Sequence, residues 1–251
     1  MTFLRDTRVV FVRQMRTKLR NPAWLLLGAL QPVLYLVLFG PLLAPLAGQL
    51  GADDVYTFFV PGLVVQMGLF GALYVGFGLV AEWRQGVIEA ERVTPVSRTA
   101  LLVGRLGRDV VQLLMQCLIL VGMGYAMGMR APVAGAAAGV GLAVLVGAAG
   151  SGISHAVALS TKSEEILAPL VNIVTMPVLL LSGILLPMTL GPGWLKRLSD
   201  AMPTRYVVDA VRDSFAGDFG SPEYRIGVGV TAAMLVLSLC WGTMVFRREQ
   251  G

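Results

Sequence analysis

The chain alternates long apolar stretches with short polar ones. Six runs of 20 residues or more lack Asp, Glu, Lys and Arg: 21–52, 55–81, 110–129, 131–161, 166–195 and 226–246, nearly two thirds of the sequence. A helix of about 20 apolar residues crosses the roughly 30 Å hydrocarbon core of a bilayer, where backbone groups must be satisfied within a helix or a closed barrel. The runs therefore predict an all-α membrane protein with six transmembrane helices in a single transmembrane domain, 1–251. The spans fall at about 21–46, 57–81, 110–129, 133–160, 166–186 and 226–246. The third can begin earlier, with helical turns from about Thr99.

The polar segments carry their own patterns. At 100° per residue, Phe3, Leu4, Val10, Phe11, Met15 and Leu19 share one arc of an N-terminal helix while Arg5, Arg13, Arg16 and Arg20 share the opposite one. Residues 1–20 thus read as an amphipathic helix on the cytoplasmic membrane surface. Segment 187–224 contains Gly191-Pro192-Gly193, Trp194, Pro203 and Tyr206, with a helical stretch from Thr204 to Phe215. Trp and Tyr favour membrane interfaces, so this segment predicts two short re-entrant helices on the outer side. The four-residue KSEE turn at 162–165 predicts a tight hairpin.

Composition agrees with the pattern. Of 251 residues, 56% are hydrophobic and only 14% charged, against about 25% charged in soluble domains. A soluble enzyme, a disordered regulator and a disulfide scaffold are excluded. With the N-terminus in the cytoplasm, the segments 1–20, 82–109, 162–165 and 247–251 hold 14 Lys and Arg, against 6 in the opposite set. By the positive-inside rule both termini are cytoplasmic. The net charge of +5 then reflects topology, with no nucleic-acid partner.

Within the spans, small residues at helical spacing predict close packing: Gly68, Gly71 and Ala72 in the second span, and the Gly135–Gly139 pair in the fourth. Gln31-Pro32 and Pro41 predict a bend in the first span, read as a kink or a flexing gate. Gln66 and Tyr74, eight residues apart, share one face and could line a polar route.

Several chemistries are absent. The three lysines follow Thr17, Thr161 and Leu195, so no Gly-Lys-Ser/Thr phosphate loop exists and the chain is not itself a P-loop ATPase. The six runs contain one ionisable group suited to proton coupling, His155, which argues against an ion-driven carrier. Ser151 stands one helical turn from His155 and allows an intramembrane hydrolase reading. A hydrogen-bonded interior histidine is the plainer alternative. One histidine and the two span cysteines, Cys117 and Cys240, do not make a metal site.

The segment 82–98, EWRQGVIEAERVTPVSR, is the informative one. Gly86 interrupts the helix leaving the second span, Glu89, Glu91 and Arg92 form a short charged helix, and exposed Val87 and Ile88 beside them suit a docking surface. Gly86, Glu89, Thr94, Pro95, Val96, Ser97 and Arg98 resemble a motif of type-2 ABC exporter permeases, and so do LSGILLPM from Leu181 and the following GPGWLKRLSDAMPTRYVVDAVR. The resemblance covers essentially the whole chain and is to the daunorubicin-resistance drug-exporter type.

The resemblance implies a non-catalytic membrane subunit without a cofactor of its own. It implies a homodimer bound to two copies of a separate ABC ATP-binding subunit that holds ATP and Mg. Segment 82–98 would be the coupling helix seated on that subunit, through Glu82, Arg84, Gly86, Glu89, Arg92, Thr94 and Pro95, with the surface helix and the 162–165 turn beside it. Export of a hydrophobic or amphipathic small molecule from a bacterial cell would follow, with a lipid or lipid-linked polysaccharide as the alternative cargo. Candidate pathway residues are Gln66, Phe70 and Tyr74 in the second span and Asn172 and Met176 in the fifth.

Overall fold

The computed structural model describes residues 3–20, 23–45, 54–92, 96–184, 188 and 191–248, with the side chains of 23–26, 91–92, 98 and 246–248 outside that description. The described residues form ten helices: α1 (Phe3–Leu19), α2 (Ala23–Leu43), α3 (Val55–Arg84), α4 (Val87–Arg92), α5 (Arg98–Ala126), α6 (Val133–Thr161), α7 (Glu164–Leu181), α8 (Gly193–Asp200), α9 (Pro203–Ala216) and α10 (Pro222–Arg248). No strand occurs among the described residues. Five helices, α3, α5, α6, α7 and α10, are long and apolar enough to cross a membrane, and α2 adds a shorter apolar helix over Leu27–Leu43. The chain is an all-helical, multi-pass membrane protein.

The centre is the α3–α6 pair, and small residues make it possible. A Cβ on Gly68 would come 2.7 Å from the Ala143 carbonyl oxygen, and one on Gly150 would come 2.8 Å from Ala72 Cβ. The helices therefore approach at backbone distance, which glycine and alanine alone permit. Ser154 fastens the contact by accepting from Gly76 N at 2.9 Å and donating to the Leu73 carbonyl at 2.6 Å. Gly71 does not belong to this seam: nothing lies within 4 Å of where its Cβ would be.

Around that pair, α9 fills the gap between α3, α6 and α10. Val207, Val208, Ala210, Val211 and Phe215 are fully buried in the core with Leu63, Val64 and Ile184. The Gly135–Gly139 spacing faces α9: Gly135 lies on the Ser214 carbonyl and Gly139 on Phe215. The segment between the fifth and sixth spans thus contains two short helices, and the longer one is a core element. Arg212 holds the turn after α7 by donating to the carbonyls of Gly183 at 2.7 Å and Ile184 at 3.2 Å. Ser182 and Thr204 hydroxyls meet at 2.6 Å.

The two ends of the bundle are tied by different residues. At one end Asp54 caps α3 through Thr57 N at 2.6 Å and accepts from Arg130 N at 3.3 Å, joining the α2–α3 and α5–α6 connections. At the other end α6 and α7 meet in the tight hairpin, with Lys162 in the left-handed region at φ 52. There Glu164 pairs with Arg84 at 3.4 Å.

Two expectations change, and the packing of α1 adds a detail. The third span is one continuous helix from Arg98, matching the earlier start near Thr99, but Arg105, Arg108 and Asp109, placed by charge in the cytoplasmic segment 82–109, are buried in its first half. In α1 the buried positions are Asp6, Val10 and Gln14, whereas Phe3, Leu4 and Leu19 are exposed. The reason lies on α5, where Gly104 and Gly107 receive Val10 and Phe11 and Arg108 gives Gln14 a hydrogen-bond partner. Ile88, expected to be exposed, is 2% exposed and packs with Leu79, Leu102 and Leu167.

Candidate functional site

The helix of the second span continues to Arg84, and Gln85 and Gly86 turn the chain into α4. Gly86 has φ +72, a conformation that a side chain makes costly. Burial of Ile88 seats α4 against the bundle and leaves Glu89 exposed on its outer side. Glu91 and Arg92 end this helix, while their side chains, Thr94 and Pro95 lie outside the described residues. Ser97 then caps α5, accepting from Ala100 N at 3.3 Å. The serine of the TPVSR stretch thus starts the third span.

Behind α4 lies a belt of charge. Glu82 Oε2 is 2.9 Å from Arg105 Nη2 and Glu82 Oε1 is 3.7 Å from Arg108 Nη1. Arg108 also reaches Asp109 Oδ1 at 2.8 Å and donates to Gln14 Oε1 at 3.0 Å. Asp109 Oδ2 lies 3.7 Å from His155 Nε2. Residues of α1, α3, α5 and α6 therefore meet in one buried cluster, one turn before Gly86. Burial, and then the Arg108 guanidinium, pull the neighbouring Lys18 ammonium below the usual lysine range. The ion pairs and the hydrogen bonds of Arg108 to Gln14 and Asp109 offset part of the desolvation of these charges.

His155 departs from expectation. It is 1% exposed, yet neither ring nitrogen makes a hydrogen bond. Its Nε2 faces Asp109 instead of Ser151 Oγ, so the base-to-nucleophile contact of a serine hydrolase is not formed. The cavity touching Ser151 and Asp109 holds about 20 Å³, room for about one water and too small for an ester or peptide substrate.

The pathway candidates separate into two groups. Gln66, Phe70 and Tyr74 come together in a cleft of about 270 Å³ between α2, α3 and α5, with Gln31, Gln112 and Gln116. Asn172 and Met176 do not line it; both are exposed on α7. Asp109, Gln112 and Gln116, at i, i+3 and i+7, form one stripe of α5. The composition of the 110–129 run hid this stripe, because glutamine carries no charge and Asp109 stands one residue outside. A polar face at helical spacing across the run's boundary was the available signal. Among the described residues, no group of His, Cys, Asp and Glu could hold a metal ion.

Comparison with known proteins agrees with this architecture. The family model described as ABC-2 type transporter matches residues 5–216. The daunorubicin resistance ABC transporter permease protein DrrB1 of Streptomyces coeruleorubidus is 27% identical over 220 residues, covering 86% of this chain and 77% of the relative. The putative transport permease ycf38 of Cyanophora paradoxa is 24% identical over 260 residues, covering 98% and 89%. The probable doxorubicin resistance permease protein DrrC of Mycobacterium tuberculosis is 25% identical over 183 residues, covering 72% and 66%. With a family model spanning most of its length and a bundle of apolar helices to match, this chain belongs to the ABC-2 type transporter family.

Proposed function

We propose that this chain is the permease subunit of an ATP-driven exporter that moves hydrophobic or amphipathic small molecules out of a bacterial cell. The energy comes from a separate ATP-binding subunit that holds ATP and Mg. Two copies of each chain form the working assembly, in the cell membrane, with both permease termini cytoplasmic.

The observation that carries this reading is α4. It presents Glu89 outward, while Ile88 packs it into a cluster with Leu79 of α3 and Leu102 of α5, and the Glu82–Arg105 pair ties those two spans together behind it. A short element exposed on one face and fixed on the other is suited to pass a push from a docked partner into two spans at once. Glu82 acts inside this lever, Arg84 links it to the α6–α7 hairpin through Glu164, and Glu89, Arg92, Thr94 and Pro95 provide the docking side. The drug-resistance names of two relatives support a small-molecule cargo. A lipid or lipid-linked polysaccharide carried by the same mechanism is the second reading, supported by the exposed apolar faces of α2 and α7.

The test is purification of the tagged chain from its native membrane in mild detergent, with subunit ratio and ATP hydrolysis measured. A 1:1 ratio with a phosphate-loop ATPase, and transport uncoupled from hydrolysis by Gly86→Pro or Glu89→Arg, is the expected result. A lone chain without ATPase, or unchanged coupling in both variants, refutes the exporter reading. Labelling of Ser151 by a fluorophosphonate, lost in His155→Ala, would establish the hydrolase in its place.

A further inference from the structure

We propose that the cleft between α2, α3 and α5 is a ligand site for lipophilic molecules carrying an uncharged hydrogen-bond donor, with Gln66 as the acceptor that selects them. This deepens the exporter reading and rests on it only for physiological meaning, because binding itself needs no ATPase.

Four amides, Gln31, Gln66, Gln112 and Gln116, line the cleft among apolar and aromatic side chains. Gln66 is 2% exposed, lines the cleft, and its Oε1 has no hydrogen-bond partner. A buried amide oxygen without a donor is costly in a membrane-like interior, and a ligand hydroxyl or N–H would remove that cost. Gln112 and Gln116 face it from α5, and Gln31 stands at its α2 side. The Gln116 amide lies against Gly28, where a Cβ would collide with it. That glycine keeps the amide seated between α2 and α5. Phe70 and Tyr74 supply apolar and aromatic surface one and two turns along α3.

The charge on the ligand follows from the neighbouring belt. The cleft continues into a second hollow of about 330 Å³ lined by Lys18, Glu82, Arg108 and Asp109, with Gly71, Tyr74 and Gln112 shared by both. Glu82 and Asp109 are matched by the guanidiniums of Arg105 and Arg108, and Lys18 is also partnered, so neither sign is in demand. What is left for a ligand is neutral hydrogen bonding. Gly71 keeps the passage open, since its position has free space for a Cβ.

The experiment uses the full-length chain in phosphatidylcholine nanodiscs and two photoprobes, benzophenone and 4-hydroxybenzophenone, which differ by one hydroxyl. Met67 lines the cleft and gives the excited ketone a C–H bond to trap. Normalised to labelling of the exposed Met176 peptide in the same sample, which cancels the probes' different photoreactivity, the hydroxylated probe should label the Met67 peptide about fivefold more, the worth of roughly one hydrogen bond. Gln66→Leu should bring that ratio to about one with benzophenone labelling retained. Gly71→Leu, which fills open space, should lower labelling by both probes and carries the test should Gln66→Leu not fold. A ratio near one in the parent chain, a ratio unchanged in Gln66→Leu, or labelling unaffected by Gly71→Leu overturns the proposal. None of these results bears on subunit copurification, so the exporter reading fails or stands separately.

Discussion

Glu82 Oε2 lies 2.9 Å from Arg105 Nη2, closing the last turn of α3 onto α5 one turn before Gly86. Arg105 is 1% exposed, so its charge has little water to fall back on. Any displacement of the α3 end must therefore carry α5 with it or separate a buried pair.

Breaking that pair from one side should be costly. Glu82→Leu leaves Arg105 without its carboxylate and should lower stability by about 3 kcal/mol. The double variant Glu82→Leu, Arg105→Leu should recover most of the loss, because no uncompensated charge remains. Thermal unfolding of the three purified chains measures this. A double variant no more stable than Glu82→Leu would show that the pair is not the main interaction of either residue.

Two glycines three residues apart should respond oppositely to the same change. Gly68→Leu forces a side chain against the Ala143 carbonyl and should destabilise the chain by about 2 kcal/mol or more. A Cβ at Gly71 would meet nothing within 4 Å, so Gly71→Leu has open space to enter and should leave the melting temperature nearly unchanged. Size-exclusion profiles after a heating series give the comparison. Equal losses would mean that α3 and α6 do not meet along the Gly68 face.

Arg212 should be required in its guanidinium form. It donates to two carbonyls beyond α7 and stands 4.2 Å over the Phe58 ring. Arg212→Ala should cost about 2–3 kcal/mol through charge-assisted hydrogen bonds alone. Arg212→Lys should recover only part, since an ammonium lacks the planar fork. Hydrogen exchange of α9 is the readout, and full protection in the alanine variant would contradict it.

Ser97→Ala removes the side-chain cap of α5 and should cost about 1 kcal/mol, with Ser97→Asp close to neutral. Faster amide exchange should be confined to the first turn of α5. Exchange unchanged at Ala100 would show that the cap contributes nothing.

Five of the six predicted spans are found as helices long and apolar enough to cross a membrane, and the first as the shorter apolar helix Leu27–Leu43, because each rests on a local quantity, the length of an apolar run. The same logic failed where a helix outran its run. The early helical start near Thr99 is legible, but the segment 82–109 counts as cytoplasmic by charge, whereas Arg105, Arg108 and Asp109 are interior because Glu82, Gln14 and each other partner them. Ile88 misled in the same way: a β-branched residue among charges looks exposed until α5 and α7 are packed beside it. In the candidate site, Gln66, Phe70 and Tyr74 were legible from spacing on one helix. Gln31, Gln112 and Gln116 were not, since they come from two other helices.

Local pattern was enough for the helical class, the order and approximate limits of the spans, the tight 162–165 hairpin and the break at Gly86, because hydrocarbon thickness and backbone preference act on consecutive residues. Tertiary structure alone decided that Gly68 packs while Gly71 opens a cleft, that α1 turns Gln14 toward Arg108, and that His155 faces Asp109. Those outcomes depend on which helix faces which. A side chain's burial and charge compensation are set by neighbours tens of residues away, which no local pattern contains.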